Sequence, residues 1–219
     1  ASVEAQITGP GISWTQLGYW FIPYRRNTGG EAVASGEGSW RVRFTPTKAG
    51  TWTVRATGKD KSGETKAEPL TIQVADSTPL GKVKAFIHVD PKNPRYFAYD
   101  GGQTYFPVGL NMCWAQKKGL EDYQEWFDAL ARAGGDWARV WMITWHLALE
   151  GGEDAAHRRP GFYNMDNAWK LDEIFRMAAA RGINLMLCLD SFNMLTKKSP
   201  FPAWLQSAYS AENGGPIKE

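Results

Sequence analysis

The hydrophobic period of this chain changes partway along it, and no single element can follow two periods. From Val3 to Val74 the apolar residues alternate with polar ones. Trp40, Val42 and Phe44 alternate with Arg41, Arg43 and Thr45, and Trp52, Val54 and Ala56 alternate with Thr53, Arg55 and Thr57. A period of two belongs to half-buried strands. Leu70, Ile72 and Val74 supply another strand, Val3, Ala5 and Ile7 an early one, and Tyr19 to Tyr24 an aromatic one. Turn signals stand between them at Pro46 to Gly50 and at Gly58 to Glu64. Several short strands with turns between them predict an antiparallel β-sandwich of immunoglobulin type over residues 1–76. Asn27 to Gly38, polar and rich in glycine, reads as a mobile loop.

Residues 77–82 read as a linker, and residues 83–219 follow a different rhythm. Lys84 to Val89 and Arg95 to Tyr99 read as strands, and Asp100-Gly101-Gly102-Gln103 as the tight turn into Tyr105 to Asn111. Leu120, Tyr123, Trp126, Phe127 and Leu130 then recur at three and four, the spacing of a helix that stops at Gly134-Gly135. Trp137 to Trp145 reads as a strand. A second helix carries Leu171, Ile174, Phe175 and Ala178, with Asp166 as its cap and Gly182 as its end. The buried run Ile183 to Phe192 closes the series. Strand, helix, strand, helix, strand with short connections predicts parallel strands joined by right-handed crossovers.

The parity of these strands suggests how they close. With Asp190 facing inward, so do Cys188, Met186 and Asn184, whereas Ile183, Leu185, Leu187 and Leu189 face helices. The same choice puts Arg139, Trp141, Ile143 and Trp145 inward, and likewise Gly109, Asn111 and Cys113. In a doubly wound sheet both faces would be covered and such polar residues would have no place. The parity therefore predicts the first three β/α units of a TIM (β/α)8 barrel, preceded by a β-hairpin. Strand-end residues of such a barrel line its active site.

Charge excludes some partners. Lysine and arginine outnumber aspartate and glutamate by two, and the basic doublets are scattered, so no nucleic-acid partner is expected. No apolar stretch approaches the roughly 18 to 20 residues of a membrane span, and the N-terminus resembles no signal peptide, so any export signal is expected to be already removed. Cys113 and Cys188, two parallel strands apart at about 9 to 10 Å, lie beyond the roughly 7 Å reach of a disulfide and are expected to stay reduced. His88 and His157 lack the spacing of metal ligands, and no metal or cofactor is expected.

At DGGQTYFPVGLNMCW, DWARVWMITW, NMDNAWKLDEIFRMAAARGINLMLCLDSF and YSAENGGPI the chain resembles cellulase-like glycoside hydrolases of the large retaining barrel clan. WRVRFTPTKAGTWTVRATGKDKSGE resembles the immunoglobulin-like domain that precedes such barrels in bacterial polysaccharide-degrading proteins. The resemblance implies a secreted, periplasmic or cell-surface bacterial enzyme. It would hydrolyse O-glycosidic bonds of a β-linked poly- or oligosaccharide through two glutamates, an acid/base and a nucleophile, at the ends of the fourth and seventh strands. The chain stops after the third strand. Both glutamates are therefore expected beyond Glu219, and the remainder of the same barrel is an expected partner.

Within the chain, the resemblance gives Arg139 the task of holding the nucleophilic glutamate ionised; the plainer reading is a salt bridge to Asp190, since a buried guanidinium needs a carboxylate. Asn111 is expected to contact a substrate hydroxyl or to support those that do. Trp141, Trp145 and Phe192 are placed to stack on sugar faces, with Trp114 less clearly so, and packing is the bland alternative for each. His146 is a candidate hydroxyl ligand or supporting donor. Asp190 reads as a substrate or network residue, because no strand-end carboxylate pairs with it across the roughly 5 to 5.5 Å of a retaining site. Glu150, Glu153 and Asp154 read as a solvated loop. Two other functions fit less well: a non-catalytic carbohydrate-binding or surface-assembly protein, and an unrelated barrel enzyme such as an aldolase, which would need a strand-end lysine.

Overall fold

The computed structural model describes residues 1–28, 31–75 and 86–218. The linker read at 77–82, and the start of the strand read at Lys84, lie outside the described residues. The chain divides into two compact units, Ala1–Thr78 and Pro79–Glu219.

The first unit contains β1 (Ser2–Gly9), β2 (Ile12–Leu17), β3 (Tyr19–Phe21), β4 (Tyr24–Arg26), β5 (Ala32–Ala34), β6 (Ser39–Arg41), β7 (Gly50–Asp60), β8 (Gly63–Lys66) and β9 (Leu70–Val74). β1, β2, β7, β8 and β9 form one antiparallel sheet around β7, with Ile7 opposite Val54 and Trp52 opposite Ile72. The alternation read in β1 and β7 places Ala5, Ile7 and Trp52 on one face, all fully buried. Trp14, Val42 and Phe44 pack onto them. The Trp52 indole N–H donates to the Lys48 carbonyl at 3.0 Å, so its one polar group is satisfied inside the core.

Among the described residues the immunoglobulin-type sandwich is not formed. Beside the five-stranded sheet stand two separate ribbons, β3 with β6 and β4 with β5, each of three-residue strands. Pro23 cuts the aromatic run at Tyr19 to Tyr24 in two, since it has no N–H to continue a ladder. The alternation from Trp40 to Phe44 is also interrupted: Val42 and Phe44 join the core, whereas Trp40 lies in β6 and is exposed. The stretch read as a mobile loop carries β5.

In the second unit, β10 (Ile87–Val89), β11 (Phe97–Tyr99) and β12 (Thr104–Tyr105) make an antiparallel sheet, turned at Gly101 and Gly102. Then follow β13 (Gly109–Asn111), α1 (Leu120–Arg132), β14 (Trp137–Trp141), α2 (Met165–Ala180) and β15 (Asn184–Cys188). β13, β14 and β15 are parallel and in that order. One face of α1 buries Leu120, Tyr123, Phe127 and Leu130; α2 buries Leu171, Ile174, Met177 and Ala178. They pack on Ala138, Val140, Met142 and Ile183 from the sheet. The cap of α2 is Asn164, whose side chain accepts from the Asn167 N–H at 3.0 Å, and not Asp166, which binds Lys170 from the first turn. Gly109 allows β13 to lie close to β14: a Cβ there would fall 1.6 Å from the Trp137 carbonyl oxygen.

The barrel reading is overturned. Among the described residues every sheet is open and only two α-helices accompany the strands. β15 is followed by short 3-10 turns at Phe192–Met194, Trp204–Gln206 and Ala211–Asn213 instead of a third helix, so three β/α units are not present. Pro107 also breaks the run from Tyr105 to Asn111, leaving β12 and β13 in different sheets. The result is a three-stranded parallel sheet covered by helices on one face.

Candidate functional site

Parallel register sets residues side by side on the helix-free face. Asn111 stands beside Arg139, which stands beside Met186; one step on, Trp141 lies beside Cys188. The Trp141 N–H also donates to the Cys113 carbonyl at 2.9 Å. The alternation that buries Ala138 and Val140 against the helices thus turns Arg139 and Trp141 to the opposite side.

Arg139 is half-buried there. Its Nε–H donates to Cys188 Sγ at 3.0 Å, and its guanidinium lies 4.8 Å from the Trp141 ring centroid. Burial raises the Cys113 thiol pKa, although the Arg139 charge works against this. Cys113 and Cys188 are free thiols. No carboxylate pairs with Arg139 among the described residues, so the bridge to Asp190 considered above is not made.

Three tryptophans follow from this row. Trp114 meets Trp141 and Trp145 edge-to-face, both at 5.7 Å between centroids. Trp145 is 48% exposed, whereas the Trp141 indole nitrogen is buried without a hydrogen-bond partner. A tight turn after β14 presents Trp145: the Ile143 and His146 backbones exchange hydrogen bonds at 2.9 Å. Leu147, fully buried, completes it at φ 62°, a left-handed conformation that costs a side-chain-bearing residue roughly 1 to 2 kcal/mol.

The turn sends His146 away from Trp145. The imidazole stacks on Tyr123 at 17° between planes, and its Nε2 takes a hydrogen bond from the Ala115 N–H at 3.4 Å, with the Tyr123 hydroxyl at 3.2 Å. Burial, assisted by the Lys170 charge, lowers its pKa to about 4, so at neutral pH it is an uncharged part of the packing. Burial raises the Tyr123 hydroxyl.

Beyond β15, Asp190 and Phe192 are both exposed. The Asp190 carboxyl is raised first by partial burial and then by the charge of Glu150. Glu150 in turn accepts from the Tyr209 hydroxyl at 2.8 Å and from the Gly161 N–H. The Tyr209 hydroxyl is raised by burial and then by Glu150. This grouping of Asp190, Glu150 and Tyr209 was not read in the sequence, where Glu150 belongs to a polar loop. Its parts are brought together by the return of residues 191–218, which no local pattern announces.

Asn111 instead lines an open groove of about 720 Å³ at the edge of β13, with Cys113 and Trp114 on the strand side and Trp126 and Leu130 of α1, with Ala133 just past its end, opposite. Arg139, Trp145 and Asp190 are not among its walls. Among the described residues no group of three or more His, Cys, Asp or Glu converges to hold a metal ion.

No protein-family model matches this chain, and no curated protein matches it. Among solved structures it is similar to a candidate glycoside hydrolase from Bacteroides vulgatus ATCC 8482, with TM-score 0.57 and 16% identity. The match covers 89% of this chain and 39% of that one, so the chain spans about two fifths of its length. At this identity the likeness is one of fold.

Proposed function

We propose that this chain contributes part of the substrate site of a glycoside hydrolase acting on a β-linked poly- or oligosaccharide. The observation that carries the reading is Arg139: a half-buried guanidinium, held by Cys188 and Trp141, with no carboxylate of the described chain against it. Such a cation favours the charged form of a carboxylate brought to it. In this reading it holds the nucleophilic glutamate of a retaining pair. Trp145 offers an apolar ring to a sugar face, and Asn111 an amide to a hydroxyl.

Arg139→Met tests it, in the protein that contains these residues. We expect kcat on β-linked oligosaccharides to fall by roughly a hundredfold or more while KM stays within a few-fold, because charge stabilisation at the reacting centre is lost. Unchanged kcat in a folded variant would remove Arg139 from the reaction.

A further inference from the structure

We propose that the β3–β6 ribbon of the first unit is a saccharide-binding site in its own right, taking the end of a neutral oligosaccharide in the corner between Trp20 and Trp40. The two residues are direct cross-strand partners and therefore project from the same face of the ribbon. Their ring centroids are 5.7 Å apart and their planes 75° apart. They remain 44% and 38% exposed.

The pair is held in place from behind. A Cβ at Gly38 would fall 2.3 Å from the Trp20 ring, so that indole lies against bare backbone. On the other face the Arg41 guanidinium sits 3.6 Å from the Phe21 centroid and Arg43 5.5 Å from that of Tyr19. Rings fixed before binding lose little freedom when a ligand arrives.

The dimensions select the ligand. An aromatic side chain buries about 150 to 250 Å² in full, so two indoles at these exposures offer about 200 Å² together. A stable protein partner needs roughly 800 Å² on each side. One pyranose ring, with an apolar C–H face and a rim of hydroxyls, is matched by one indole face and a neighbouring wall. The perpendicular setting suits a chain end; the flat face of a crystalline polymer would require coplanar rings. Stacked bases need a cationic track on the same side, yet Arg41 and Arg43 are engaged on the opposite one.

The proposal does not require the second unit to be an enzyme. Residues 1–219 are titrated calorimetrically with cellohexaose, mannohexaose, xylohexaose and laminarihexaose. We expect at least one to bind, and Trp20→Ala and Trp40→Ala each to weaken it by about tenfold or more. Trp20→Phe should retain most of the affinity. As a readout that needs no variant, the bound sugar should protect Trp20 and Trp40 from N-bromosuccinimide oxidation, followed by peptide mass. Wild-type-like binding by both folded alanine variants, no binding of any of the four sugars, or oxidation unaffected by them would overturn the proposal. So would binding of oligothymidylate through Trp20, or a mass in light scattering that drops on Trp20→Ala.

Discussion

His146 serves the packing although its neighbour Trp145 is exposed. Its pKa falls from 6.5 to about 4 through burial and the Lys170 charge. The unfolded chain takes up the proton first as pH falls, so the stabilisation is complete above 6.5 and is lost between 6.5 and about 4. At ~1.4 kcal/mol for each pKa unit, the loss is ~3 kcal/mol. We expect His146→Gln to flatten the fall in melting temperature between neutral and mildly acidic pH; an unaltered fall would place the acid sensitivity elsewhere. Trp145 should behave in the opposite manner. In Trp145→Ala, glycan binding or turnover should drop while the melting temperature stays close to wild type, because nearly half of the ring is outside the core. Parallel losses in both measurements would assign Trp145 to packing. The adjacent positions thus differ in burial, and the sequence could not tell them apart: strict alternation pointed Trp145 into a strand, whereas a turn begins at Ile143.

At the scale of elements, the helices were legible and the strand ends were not. α1 follows the three-and-four spacing of its apolar residues closely; in α2 Leu171, Ile174 and Ala178 are buried as read, but Phe175 is 45% exposed and Met177 takes its place in the core. The cap of α2 was misread because Asn164 and Asp166 both suit a helix start; only the Asn164 side chain reaches an unpaired N–H. Asn164→Ala should cost about 1 kcal/mol. Asp166→Ala should cost less, since it gives up an exposed-type pair with Lys170 and also removes a buried carboxylate oxygen that lacks a partner. Equal losses in urea denaturation would contradict this assignment. For the sheet, Gly109→Ala sets a methyl group against the Trp137 carbonyl and should destabilise by at least ~2 kcal/mol. Helix and strand periods are local, so they appear in sequence. Closure into a barrel depends on which strands meet, and that information was inferred from parity alone; parity put Val140, Leu185 and Leu187 with the helices, but it misplaced Leu189, which is 68% exposed, and it could not close the sheet.

For the whole molecule, the two units carry independent cores, a small one around Trp52 and a larger one under α1 and α2. A smaller core leaves less apolar burial to offset chain entropy. Calorimetry should resolve two transitions, with Trp52→Phe lowering only the earlier one; a single transition moved as a whole by that substitution would show that the units melt together. The change of period in the sequence lies near the boundary between the two units, which falls after Thr78. What the sequence could not supply was pairing across distance, such as Trp20 with Trp40 or Glu150 with Tyr209. The turn at Ile143 to Leu147 has one more consequence. Its hydrogen bonds run between backbone groups, and its anchors, His146 and Leu147, point into packing. Position 145 therefore carries little of the cost of folding. A substitution at that position changes the exposed surface of the turn while the backbone that presents it stays as it is.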